Sequence, residues 1–465
     1  MVTVPTPSGI RPLPTLTCTD PTVDRLYAAA LRNVFELNTV SDAGGGRFVR
    51  AGGDYPTPWT RDAAINSWSA VSLLAPDLAE STLRAVTEST DHGPIVAQDD
   101  QWWDQAIWIL GAHRHVELSQ DAEFARWAHE VGRHTLDALE ARFDPRWNLY
   151  RGPAVMQDGV SGYPLPTGAA EVTSFVLDHP WSEEIMCPST NVVYAAAHER
   201  LADLADLAGA PAVARLRSRA AAVWEAIEAT LWLGDHYGYL VHADGTVADY
   251  QELLGLALLL EHAPIDENRV RAVVASVRRE PFGVPLVTPH FPRYSSERPG
   301  RHNVMLWPMA TGQWGVAAAR RGQAAAFADS WRDLCRLIDP DAGFFEVYRP
   351  SDGTVDGGWQ VGRTWDSVPD QTWSATAFLR MVHEGLFGIR LADGELRLAP
   401  TVPEGLGTCE LRGLSVGAAR VTIRVTGVGN RVAAVDMDGR TLDAGEPIRV
   451  ADLRGEPTLH VRMRD

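Results

Sequence analysis

Apolar residues recur every three or four positions through most of the first 390 residues. Val23, Leu26, Tyr27, Ala30, Leu31 and Val34 open the series, with a helix cap at Asp20 or Thr22. The same spacing predicts helices over 61–75, 78–90, 103–117, 121–143, 189–208 and 211–232. It continues over 247–261, 266–278, 304–320, 323–338 and 371–387. Two kinds of helix alternate. AAINSWSAVSLL, QAIWILGAH, STNVVYAAAH and WSATAFLRMV carry almost no charge. AEFARWAHEVGRHTLDALEARF and AVARLRSRAAAVWEAIEATLW have one apolar and one charged face. A helix that is apolar all round is buried on all sides, and a two-faced helix lies outside it. The alternation therefore predicts an all-α-dominant chain in which six helical hairpins close an (α/α)6 barrel.

The period changes near Leu391. GELRLAPTV, CELRGLSV, ARVTIRVTGVG, RVAAVDMDG and TLHVRMRD alternate apolar and polar positions between Gly-rich turns. They predict a small C-terminal antiparallel β domain over 391–465, read as a structural cap on a helical domain over 1–390.

The loops alternate as well. Those entering the uncharged helices are long and rich in Trp, Tyr, Asp, Glu and Gly. Long loops gathered at one end of a rigid scaffold are where sites are usually built. Two are the most informative. One runs from Tyr150 to Pro188, and the other from Gly343 to Gln371 and includes Trp365.

Composition narrows the partner. A formal net charge of −18 disfavours nucleic acid and anionic membranes, which need basic patches. Sixteen Trp outnumber twelve Phe and ten Tyr. Trp presents a flat apolar face and one N–H donor, which suits the apolar face of a sugar ring, although most of these residues belong in a core. The four cysteines, Cys18, Cys187, Cys335 and Cys409, are widely spaced and show no CxxC pair. Neither zinc nor a disulfide framework is expected, and a reduced, cytoplasmic setting is. No signal peptide or membrane span is visible. No phosphate-binding loop, dinucleotide fingerprint or GxSxG elbow appears, so no cofactor or metal is expected.

Two carboxylates on opposing loops can perform acid/base cleavage of a glycosidic bond. Glu346, between Phe345 and Tyr348 at the start of EVYRPSDG, is the candidate base that would activate water. The acid belongs on the first loop. Asp158 in QDGVSGYP lies among Met156, Val160 and Tyr163. Glu183 and Glu184 follow Trp181 in WSEE, and the choice between these positions stays open. An acid needs an apolar or anionic surround that keeps it protonated. Trp59, Arg61 and Asp62 in PWTRDAA could grip sugar hydroxyls through a planar fork and a carboxylate. Trp102, Trp103 and Asp104 in QDDQWWDQ form a similar element. His302, Asn303 and Trp307 in RHNVMLWP, with Gln371 ahead of WSATAF, complete the candidate contacts.

These motifs resemble the six-hairpin glycosidases, the group that includes family 15 glucoamylases, family 37 trehalases and family 63 glucosidases. PWTRDAA is similar to the glucoamylase WTRD element, which implies that Arg61 and Asp62 bind the non-reducing sugar. EVYRPSDG followed by TWSATAF is similar to the segment holding the catalytic base, which implies Glu346. WSEE resembles a glucoamylase stretch whose first Glu is the acid, pointing to Glu183. DGVSGYP followed by PSTN resembles the family 63 arrangement instead, pointing to Asp158. The resemblance implies an exo-acting, inverting glycoside hydrolase that releases a terminal, α-linked glucose-like sugar. The alternatives are a phosphorylase or other carbohydrate-active enzyme on the same scaffold, and a non-catalytic sugar-binding protein.

Overall fold

The computed structural model describes residues 11–42, 44–97, 101–157, 180–210, 213–360 and 362–464. Twelve main helices alternate around it among these residues. Their bounds are α1 Pro21–Arg32, α2 Thr60–Asn66, α3 Pro76–Ala85, α4 Ile107–Ser119, α5 Ala122–Leu139 and α6 Pro188–Ala208. The second half holds α7 Val213–Leu231, α8 Leu253–His262, α9 Glu267–Ser276, α10 Pro308–Arg320, α11 Ala324–Leu337 and α12 Thr372–Arg380. Both α2 and α12 run on through a π-helical segment, Ser67–Val71 and Met381–Leu386.

Local chemistry sets the starts. Asp20 accepts from Thr22 N at 2.9 Å, which makes Asp20 the cap of α1. Asp121 accepts from Phe124 N, and Asp266 from Arg269 N. Pro21, Pro76, Pro188 and Pro308 occupy first-turn positions where no N–H is needed. The expected start of α8 at 247 shifts to Leu253, because Gln251 and Glu252 pair with Thr288 and Val287 as a short ladder.

The uncharged helices form an inner ring. α2 packs on α4, α4 on α6, α6 on α8, α8 on α10, α10 on α12, and α12 back on α2. Every residue of α2 and α12 is buried, as is α8 through Leu260. Small residues permit close approach. A Cβ on Gly111 would come within 2.7 Å of Ala64 Cα, and one on Gly312 within 2.7 Å of Ala377 Cβ. A hydrogen bond from Thr376 Oγ1 to Asn66 Oδ1 (2.7 Å) joins α12 to α2. The two-faced helices lie outside. α5 buries Phe124, Ala128, Val131, Thr135 and Leu139 at helical spacing, and α11 buries Phe327, Trp331 and Leu334.

The tail is β-structured, and it takes in the start of the chain. Strands are β1 Thr15–Cys18, β2 Ile389–Ala392, β3 Glu395–Leu398, β4 Thr408–Val416, β5 Ala419–Thr426, β6 Val432–Met437, β7 Arg440–Leu442, β8 Ile448–Arg449 and β9 Thr458–Met463. The larger sheet runs β1-β4-β5-β9-β6-β7, with only β5 and β9 parallel. The smaller one runs β2-β3-β8. Its core is continuous with the outer helices: Leu16, Leu26, Phe378, Leu396, Leu411 and Leu459 belong to one buried cluster.

One expectation is corrected here. β1 and β4 pair antiparallel with Cys18 opposite Cys409, and these two form a disulfide, while Cys187 and Cys335 are free. A sequence separation of 391 residues hides this pairing from any reading of spacing. No helix among the described residues is long and apolar enough to cross a membrane.

Candidate active site

The loops that enter the inner helices converge at the N-terminal ends of the ring. The first turn of α2 presents Arg61 and Asp62, which are 8% and 2% exposed. Arg61 Nη1 donates to Asp104 Oδ2 at 2.7 Å and to Gln101 Oε1 at 2.9 Å. Its guanidinium lies 6.0 Å from the Trp373 ring centroid. Asp104 is fully buried, and its other oxygen accepts from Met156 N at 3.2 Å. One carboxylate thus joins the Arg61 group to the start of the first loop. The PSTN motif braces that loop as well. Val155 N donates to Ser189 Oγ, Thr190 Oγ1 to Pro153 O, and Tyr150 N to Asn191 Oδ1.

A second cluster forms on Arg301 and Glu346, both about 5% exposed at the side chain. Arg301 Nη2 donates to Glu346 Oε2. Arg301 Nη1 donates to Gly357 O at 2.9 Å, and its guanidinium lies 5.3 Å from the Trp307 ring centroid. Trp307 Nε1 returns a bond to Arg301 O. Glu346 is fixed from both sides, since Glu346 N donates to Val368 O and Val347 N to Ser367 Oγ. Gly358 crosses Arg301 at φ +70°, where a Cβ would sit 2.8 Å from Arg301 Cα. That close crossing requires glycine.

Tyr55 links the clusters. Its hydroxyl is held above its ordinary pKa by burial first, then by Glu346 and Asp62, with Arg301 and Arg61 opposing. Both clusters thus act on this hydroxyl, and two rings join them in space: Trp373, beside Arg61, stands 5.9 Å from Trp307, beside Arg301.

The remaining candidates are placed as follows. Asp158 lies outside the described residues. Glu183 and Glu184 are 40% and 48% exposed at the side chain, and pair with Arg142 at 3.3 Å and Arg151 at 3.2 Å. Trp103 is fully buried in the core beside Trp102, whose ring lies under Arg142 at 3.7 Å. Trp59 and Trp181 are half-buried. His302 packs at 5.0 Å on Trp307. Asn303 braces backbone: it accepts from Phe291 N and donates to Val287 O and Pro289 O. Trp365 donates to Gln360 O, with Arg363 over its ring. Gln371, fully buried, bridges Ala51 O and Trp373 Nε1 at 3.0 Å each, with its amide oriented to satisfy both.

Sequence reasoning missed Tyr55, Arg301 and Glu252. Arg301 stands beside His302 in a motif that drew attention, but nothing in the spacing tells which carboxylate it meets. Glu252 immediately precedes the most apolar helix, α8, which is a signal that could have found it. Its carboxyl is 4% exposed, and burial pushes it up to about 8 against the smaller opposing effect of Ser189.

Residues 165–374 match the family model described as a mannosylglycerate hydrolase MGH1-like glycoside hydrolase domain. Solved structures share the fold. A sialidase superposes with a TM-score of 0.68 at 14% identity, over 86% of this chain and 37% of that one. A family 78 rhamnosidase of Bacillus sp. GL1 gives 0.57 at 14% identity, over 98% and 44%. A family 63 mannosylglycerate hydrolase from Thermus thermophilus, in complex with glucose, gives 0.55 at 15% identity, over 77% and 99%. The chain thus spans less than half the length of the sialidase and of the rhamnosidase. No curated protein matches the chain in sequence. Over residues 165–374 the chain is similar to a glycoside hydrolase domain, and its fold is shared with family 63 and family 78 glycosidases.

Proposed function

We propose that this glycoside hydrolase is exo-acting and inverting, and that it releases a terminal, α-linked glucose-like sugar from a glycoside. The observation that carries the reading is that the Arg61–Asp104 pair and the Arg301–Glu346 pair meet across the Trp373 and Trp307 rings, 5.9 Å apart, at the mouth of a six-helix ring, which we read as an (α/α)6 barrel. Arg61 and Asp62 hold hydroxyls of the terminal sugar, and Trp307 and His302 line the same mouth.

Glu346 takes a proton from a water, whose oxygen attacks the anomeric carbon. The glycosidic bond breaks on the opposite face, and the leaving oxygen receives a proton from an acid on the first loop. We favour Asp158 for that role over Glu183 or Glu184, because the latter two sit half in solvent and are each already held by an arginine. Inversion needs about 6.5–9.5 Å between the two carboxyls to admit the water.

The family 63 structural relative in complex with glucose supports a glucose-like sugar. A hydrolysis screen over terminal α-glycosides, with magnetic-resonance assignment of the first-formed anomer, tests the reading. A retained anomer refutes inversion, and sugar binding without turnover across the panel refutes catalysis.

A further inference from the structure

At the opposite end of the ring, the C-terminal ends of α4, α8, α10 and α12 surround a pocket of about 240 Å³ that is lined by five arginines. Four of them are matched. Arg380 pairs with Glu261 and, at 3.2 Å, with Glu384. Arg320 reaches Glu384 at 2.7 Å and Glu261 at 3.3 Å. Arg114 reaches Glu117 at 3.2 Å, Glu384 at 3.3 Å and Leu391 O at 2.7 Å. Arg200 reaches Asp203 at 3.1 Å. Burial raises Glu384, but Arg380, Arg320 and Arg114 outweigh it and bring it down to about 2, so these carboxylates are ionised and already engaged.

The fifth, Arg390, comes from β2 of the C-terminal sheet. Among the described residues its guanidinium makes no hydrogen bond or ion pair, and its Nε is buried without a partner. Arg320 Nε and His262 Nε2 are likewise buried and unbonded. Burial lowers Arg390 from its ordinary pKa and the like charge of Arg320 lowers it further, against a smaller opposing effect of Glu384 and Glu261, neither of which bonds it. An unmatched cation beside another cation is costly to keep unless something negative joins it. The negative ends of the surrounding helix dipoles amount to about half a charge each and offer Arg390 no direct bond.

We propose that this pocket binds a small oxyanion, a phosphate or the phosphate group of a monoester, with Arg390 as its principal ligand. A guanidinium fork matches phosphate oxygens bidentately, and the volume admits a phosphate with a short organic substituent. The thirteen residues of α10 separate this site from the sugar-binding mouth by roughly 18 Å at 1.5 Å per residue. The anion therefore takes no part in bond cleavage. It ties the C-terminal sheet to the base of the ring.

Calorimetric titration and melting of the full chain with inorganic phosphate and, separately, glycerol phosphate, against chloride at matched ionic strength, test this. Wild type should bind at least one of the two and melt higher with it. Tighter binding of the ester identifies a phosphorylated metabolite as the source, and tighter binding of phosphate identifies the free ion. Arg390→Gln should weaken binding by about tenfold or more, the scale of one charge-assisted bond, with an unliganded Tm no lower than wild type. Comparing the variants cancels the general stabilisation by phosphate salts. Arg390→Lys should retain part of the affinity, and Glu346→Gln all of it. No binding by wild type, unchanged binding by Arg390→Gln, or a lower unliganded Tm in Arg390→Gln overturns the proposal.

Discussion

The Arg301 guanidinium donates to Glu346 Oε2 through one nitrogen and to the Gly357 carbonyl, at 2.9 Å, through the other. One planar group therefore sets the position of the candidate base against a backbone segment that Gly358 allows to pass at close range. Glu346→Gln keeps size and hydrogen bonding but accepts no proton. Turnover should fall at least ~10²-fold with sugar binding intact, the usual scale for a lost proton acceptor. Steady-state kinetics beside calorimetric binding decide it, and full retained hydrolysis rejects Glu346 as the base. Arg301→Lys replaces a fork by a point charge that is unable to serve both partners, so kcat should drop by more than KM rises.

Asp104 holds Arg61 and the Met156 amide at once. Asp104→Asn leaves a buried guanidinium without its closest counter-charge among the described residues, a change of roughly 3–5 kcal/mol when a buried pair is broken. Denaturant unfolding should show a loss on that scale, and KM for the terminal sugar should rise. A variant with unchanged stability and KM removes Asp104 from the site.

Glu183 and Glu184 are partly exposed partners of Arg142 and Arg151. Glu183→Gln and Glu184→Gln should each change stability by under about 1 kcal/mol, as surface pairs do, and leave kcat nearly unchanged. Asp158→Asn should instead lose activity on glycosides with poor leaving groups and keep most of it on an activated aryl glycoside. If either glutamate variant shows that leaving-group dependence and Asp158→Asn lacks it, the acid moves to the WSEE segment.

Glu252 carries a pH signature. Its folded-state pKa, near 8, lies above the ordinary 4.5. Between those values the native chain keeps a proton that the unfolded chain has released. The native state is therefore progressively disfavoured as pH rises from about 4.5 through 8, by an amount on the order of a few kcal/mol, and is unaffected below that window. Glu252→Gln removes the effect. Its Tm should match wild type near pH 4.5 and exceed it increasingly up to pH 8. A difference that stays constant with pH sinks this assignment.

Much of the fold was readable along the chain, because periodicity is a local property. The one-sided pattern Phe124, Ala128, Val131, Thr135, Leu139 announces an outer helix, and the uncharged STNVVYAAAH an inner one. The alternation after Leu391 announces strands. The same reading brought out Arg61, Asp62 and Glu346, since polar and charged residues on loops entering apolar helices stand out against their neighbours.

Tertiary structure alone decided who meets whom. Cys18 faces Cys409 because β1 joins the C-terminal sheet, and Arg301 chooses Glu346 because two distant loops close on one another. Glu252 holds its proton because its surroundings exclude water, and Arg390 stands unmatched because β2 delivers it to a pocket whose carboxylates are already taken. The physical reason is one of range. Hydrophobic patterning acts over a turn or two of chain and is written in consecutive residues. Charge pairing, desolvation and disulfide formation act through space, between residues whose separation in sequence carries no trace of the contact.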